Sequence, residues 1–197
     1  SIALILLNVV AAKYGDGVIA ALTISSRIVA LAYMIMIGWG QGFQPICAMN
    51  YGAKQYDRVK KAFKFTVVGG TLFLIIAAIL LYVFSEPLIK TMSNDNEVIL
   101  VGAEILRMQC ITMPLLGYFA ISSMLMQNIG QYFWASIISI SRQGIFYIPL
   151  LYILSNILGQ CGIYLLQPVA DVLSFGLAVI VVRKIKFAND KCKKDGI

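Results

Sequence analysis

Apolar runs long enough to cross a bilayer follow one another along nearly the whole chain, and no other feature restricts its fold as much. They fall near Val18 to Asn50, Ala62 to Phe84, Val98 to Met126, Phe133 to Ser155 and Gly162 to Val182, with a shorter run from about Ile2 to Ala12. A helix needs about 20 apolar residues to cross the hydrocarbon core. In lipid the backbone groups of each span must be satisfied internally, and runs of this length are helices rather than strands. Short polar turns such as KYGDG, YGAKQYDR and SEPLIKTMSNDNE separate them.

The expected fold class is therefore all-α, a polytopic membrane helix bundle of six transmembrane helices with the first one truncated. Of the 197 residues, 60% are hydrophobic and 13% charged, too little polar surface to clothe a separate soluble domain. The organisation expected is one six-helix unit over 1–187 and a basic tail over 188–197. The opening stretch SIALILLNVVAAKYGDG has no initiator Met and no basic n-region, so it reads as the end of a helix that starts upstream. The chain is expected to be part of a longer protein.

The net charge of +7 is read by position. Lys54, Arg58, Lys60, Lys61 and Lys64 stand against Asp57, and the stretch from Arg183 holds six Lys/Arg against two Asp. Short basic loops stay on the cytoplasmic side. Four helices separate the two basic regions, and an even number returns the chain to the same side. A multi-pass protein of the plasma membrane, in a bacterium the inner membrane, with a cytoplasmic C-terminus is expected. Its partner is the lipid bilayer and not nucleic acid.

Histidine is absent, which removes His catalysis, His metal ligands and His proton relays. Cys47, Cys110, Cys161 and Cys192 are far apart and read as small hydrophobes without metal spacing. No metal and no cofactor are expected. A membrane-embedded enzyme would need a clustered nucleophile and base, and the scattered carboxylates supply none.

Charges at bilayer depth cost about 2.5 to 3.5 kcal/mol each on insertion scales and need a partner or a role. Glu104 and Arg107, three residues apart on one helix, are expected to pair. Asp171 lies about nine residues into the last helix and Arg142 about ten into the one before it, from opposite sides; at about 1.5 Å per residue both reach the midplane. They are expected to meet, with Ser139, Gln143, Gln167 and Ser174 as further polar partners. Two readings stand: a buried pair that fixes helix register, or a carboxylate facing a cavity that binds a cation or carries a proton.

The stretch GWGQGFQPICAMNYG closes the second apolar run. Arg27, Met34 and Gln41 are seven apart and share a helical face, which Gln44 and Pro45 extend. Gly38 and Gly42 form a G-x-x-x-G pair suited to close helix approach. Glycines and prolines at Gly69, Gly70, Pro114, Gly117, Pro149 and Pro168 mark bends or packing notches. Met34, Tyr118, Met124 and Tyr147 are candidates for a cavity wall that takes flat cations. The same residue types also serve as ordinary core.

The string AALTISSRIVALAYMIMIGWGQGFQPICAMNYGAKQYDRVKKAFKFT resembles the second helix and following loop of the C-terminal half of MATE transporters, the multidrug and toxic compound extrusion family. The resemblance rests on Arg27, then Gly38, Gln41, Gly42, Gln44, Pro45 and Ile46, then Asn50 to Ala53. SRQGIFYIPLLYIL resembles the family's eleventh helix, and QPVADVLSF the P-x-x-D pattern of the twelfth in one bacterial branch. The likeness covers essentially the full chain. It implies helices seven to twelve, one lobe of a twelve-helix, two-lobe antiporter of the MOP superfamily that exports cationic or amphipathic compounds against H+ or Na+.

The partners so implied are an N-terminal six-helix lobe and small cationic substrates, with no cofactor beyond the coupling ion. Asp171, Arg142, Arg27, Gln41, Gln44 and Gln167 are the candidates for the substrate and ion pathway. In one place the chain departs from the family. Some Na+-coupled members carry an ion-binding aspartate midway along the tenth helix, near where Gly117 stands here with no carboxylate within several residues. A lipid-linked oligosaccharide flippase of the same superfamily is the alternative that Arg27 and Arg142 keep open.

Overall fold

The computed structural model describes residues 2–194, with side chains from residue 3 to 184 apart from 4, 8 and 13. Helix α1 (Ile2–Ala11) leads through a tight turn into α2 (Asp16–Gly52), followed by α3 (Tyr56–Val83) and the short α4 (Ser85–Lys90). Then come α5 (Asn96–Asn128), α6 (Tyr132–Ile140), a π turn (Ser141–Ile145), α7 (Tyr147–Leu158) and α8 (Gln160–Lys194). Among the described residues all regular structure is helical. Five segments are long and apolar enough to cross a membrane, with Tyr132–Leu158 acting as one of them. The first helix, at 10 residues, is shorter than a crossing. Of the tail expected at 188–197, α8 continues through Lys194 and residues 195–197 lie outside the described residues.

Helix α5 is the centre of the bundle. It packs against α2, α3, α4, α6 and α8, and half of its most apolar window is buried, against 22% for α3. Ile105, Leu106, Met113, Leu116 and Ile121 are among its fully enclosed side chains. With no hydrophobic drive between helices in lipid, close backbone approach and hydrogen bonds across helices hold such a bundle. Both occur here. The Ser25 hydroxyl lies 2.9 Å from the Gly102 carbonyl and joins α2 to α5, while Trp39 Nε1 donates to the Thr66 carbonyl at 3.1 Å and joins α2 to α3.

Gly117 allows α3 to reach α5. A Cβ at this position would lie 3.2 Å from both Cα and N of Thr71 and 2.9 Å from its hydroxyl oxygen. Backbone cannot step aside by changing rotamer, so Gly117→Ala is expected to cost about 1–3 kcal/mol through overpacking. A lowered midpoint of thermal unfolding in detergent checks it.

Three of the prolines do not break their helices. Pro45, Pro114 and Pro168 lie inside continuous α2, α5 and α8. The break comes instead at the π turn, where Phe146 N donates to the Ser141 carbonyl five residues back, at 3.0 Å. Pro149 in the first turn of α7 explains its place. It has no N–H for the Ile145 carbonyl and its ring needs room beside that group, so the chain widens one turn earlier and restarts.

Candidate functional site

The π turn after α6 and the first half of α8 bring Arg142 and Asp171 together inside the bundle. Arg142 Nε donates to Asp171 Oδ1 at 2.7 Å, and the two side chains are 12% and 3% exposed. Gln167, one turn earlier on α8, donates to the same Oδ1 at 3.1 Å. Thr112 of α5 reaches Oδ2 from its hydroxyl at 3.4 Å. The guanidinium also lies against the ring of Tyr33, with Cζ 5.1 Å from the ring centroid. Four elements thus converge on one ion pair. The π turn matters here, because insertions of this kind re-aim a side chain locally and occur often at functional sites.

Two cavities meet at Arg142. One, of about 200 Å³, lies toward the Asp16 end of α2 and is lined by Ser26, Gln109, Tyr147 and Gln167 among others. The second, of about 310 Å³, lies toward the Gly52 end and is lined by Gln44, Met124, Gln127 and Ser139 among others. Tyr33, Arg142 and Gln143 line both and form the partition between them.

The residues singled out in the sequence are distributed unevenly over this geometry. Arg142, Asp171 and Gln167 form the cluster, Tyr147 lines the first cavity, and Gln44 and Met124 line the second. Tyr118 is away from both; its ring packs edge-on against Phe63 and Phe175, centroids 5.9 and 5.4 Å away. Arg27, Met34 and Gln41 are exposed along one outer face of α2 and line neither cavity. Of the polar partners expected around the pair, Gln143 lines both cavities, Ser139 bonds Ser123 at 2.8 Å, and the Ser174 hydroxyl is buried without a partner among the described residues.

Two local expectations are corrected. Arg107 pairs with Glu86 of α4 at 2.9 Å and not with Glu104, because α4 folds its acid back over α5. That bridge is 41% and 54% exposed, and such pairs are worth about 0–1 kcal/mol. The Gly38 and Gly42 pair faces open space, whereas Gly40 is the notch in use, closed over by Met124 of α5. Thr112 and Tyr33 join the cluster without any signal in the sequence. Tyr33 does fall nine residues before Gly42 in the conspicuous helix, but nothing in its spacing points to Arg142.

Helices of membrane-crossing length around a buried ion pair, with a cavity on either side of its arginine, define a multi-pass membrane protein of the transporter class. A sequence profile of MatE matches residues 1–153, and the chain belongs to the MatE family. It is 25% identical over 182 residues to the multidrug export protein MepA of Staphylococcus haemolyticus, covering 92% of this chain and 40% of that one. The fold is similar to that of the Vibrio cholerae MATE transporter VcmN, with a TM-score of 0.88, 21% identity, and 95% of this chain and 43% of that one covered. It is also similar to the MATE multidrug transporter DinF-BH, with a TM-score of 0.77, 35% identity, and 88% and 39% covered. The chain spans about 40% of the length of the curated relatives it matches. Members of this family are transporters and not enzymes.

The family likeness also gives Gly117 a meaning. The Thr71 backbone stands against Gly117, near which the resemblance leads one to expect a carboxylate, and leaves little space for one. Among the described residues the buried acid is Asp171.

Proposed function

We propose that the chain is the C-terminal six-helix lobe, helices seven to twelve, of an exporter of organic cations or amphipathic drugs driven by H+ or Na+ antiport. The Arg142–Asp171 pair is the polar centre of its pathway. One observation carries the reading: Arg142 stands between two cavities, one toward each end of the bundle, with Asp171 bonded directly behind it. A carrier that opens to each side in turn needs a group that both sides can influence. H+ or Na+ arriving at Asp171 competes with Arg142 for the carboxylate, which gives the lobe a closed-pair and a parted-pair state whose populations the ion shifts.

The outer face of α2 supports a companion lobe. Arg27 is exposed about 16 Å along that helix, at about 1.5 Å per residue, with no ion pair or hydrogen bond of its side chain among the described residues. An arginine facing lipid at that depth is costly, so this face is turned to water in a cavity or to further protein. MepA, a multidrug export protein, and DinF-BH, a multidrug transporter, support the substrate class. The basic loop after Gly52 supports placement of that end, and of the C-terminus, in the cytoplasm of a bacterial cell.

Vesicles holding the complete protein, loaded with the fluorescent organic cation ethidium and given a pH gradient or a Na+ gradient separately, test the reading. Asp171→Asn keeps the size and the acceptor oxygen but removes the charge, and gradient-driven efflux is expected to fall at least tenfold at normal expression. Unchanged efflux would rule out Asp171 as a coupling group.

A further inference from the structure

Arg142 gives Asp171 only its Nε hydrogen. Among the described residues nothing accepts from Nη1 or Nη2, and neither nitrogen is sealed away from the cavities that Arg142 lines. A guanidinium carries five N–H donors in a rigid planar fork, and the edge with two parallel donors matches a carboxylate or phosphate. Asp171 at one edge and the Tyr33 ring against the face hold that plane in place. The free edge is therefore preorganised.

The charge of the cavity walls points the same way. Among the described residues no Asp or Glu lines either cavity, Arg142 is the one charged side chain in both walls, and Asp171 is itself enclosed behind it. The larger cavity adds amide and hydroxyl groups from Gln44, Gln143 and Ser139, with Ile37, Phe119 and Met124 as its apolar side. Acceptor chemistry fits at the fork and an apolar body fits beside it.

We infer that the free Nη edge of Arg142 is the binding site in this cavity for the acidic group, carboxylate or phosphate, of an amphiphile. The inference rests on the transport reading only in calling such a ligand a substrate. Binding is read without a gradient, so its failure and a failure of the antiport test are separate results.

The test titrates the complete protein in micelles of the uncharged, phosphate-free detergent dodecyl maltoside with dansylglycine and with dansylglycinamide, which keeps the ring and loses the charge. The acid is expected to bind at least tenfold more tightly than the amide. Arg142→Lys keeps the charge and loses the fork, and should weaken the acid at least tenfold with little effect on the amide. Gln44→Glu leaves the ion pair intact and puts an acid in the cavity wall; it should weaken the acid selectively even if the Arg142 variant folds poorly. Displacement of the probe by dihexanoylphosphatidic acid would mark a lipid phosphate as an occupant, and lack of displacement a carboxylate. Equal binding of acid and amide, no binding of either, or acid binding indifferent to both variants would overturn the inference.

Discussion

Arg142→Leu is expected to cost about 3–5 kcal/mol of stability, because removing one member of a buried pair strands the charge of the other. Asp171 is 3% exposed, and without Arg142 its remaining partners are the Gln167 amide and the Thr112 hydroxyl. Two neutral hydrogen bonds do not replace a guanidinium. The double variant Arg142→Leu with Asp171→Leu removes both charges together, and apolar replacement of a whole buried pair is often neutral or stabilising by about 1–4 kcal/mol. Most of the lost stability should therefore return in the double variant, while ethidium efflux should not. Thermal unfolding of the wild type, both single variants and the double in the same detergent reads the coupling directly. If the single losses simply add in the double, the two residues do not act as a pair.

That pair was legible from depth alone. A charge a fixed number of residues into one helix and its opposite on the antiparallel neighbour reach the same level, and the cost of leaving either in lipid forces them together. The long helices were legible for a related reason, since hydropathy and turn residues set their limits in a solvent that allows no other structure. What spacing does not carry is rotation and irregularity. Which glycine of Gly38, Gly40 and Gly42 meets a neighbour depends on how α2 is turned about its axis, and the π turn that aims Arg142 is caused by Pro149 seven residues away. The same limit misassigned Arg107. An i, i+3 partner was available in Glu104, but the short α4 brings Glu86 within 2.9 Å, and no local pattern announces a contact 21 residues away in sequence.

Gly162→Ala should be the most damaging single added methyl among the described glycines. Helices α7 and α8 are joined at Gly159 alone, whose φ of 58° and ψ of −129° suit glycine, and Gly162 N donates to its carbonyl at 3.1 Å. The hairpin is so tight that a Cβ on Gly162 would overlap the Leu154 carbonyl oxygen and lie 2.5 Å from its carbon. The Cβ is fixed to its backbone and the Leu154 carbonyl is backbone, so no rotamer change helps and only separation of the two helices relieves the clash, at roughly 3 kcal/mol, the upper end of ordinary overpacking. The consequence reaches the ion pair. Tyr147 on α7 and Gln167 and Asp171 on α8 are held in register by this hairpin, and parting it draws the Asp171 carboxylate away from Arg142. Gly176→Ala, on the same helix but with nothing within 4 Å of the added methyl, should instead stabilise by about 0.5–1 kcal/mol through helix propensity. Melting midpoints and ethidium efflux measured side by side separate the cases: a steep loss of both for Gly162→Ala with none for Gly176→Ala is expected. Equal behaviour of the two variants would mean that the α7–α8 hairpin is looser than this geometry requires.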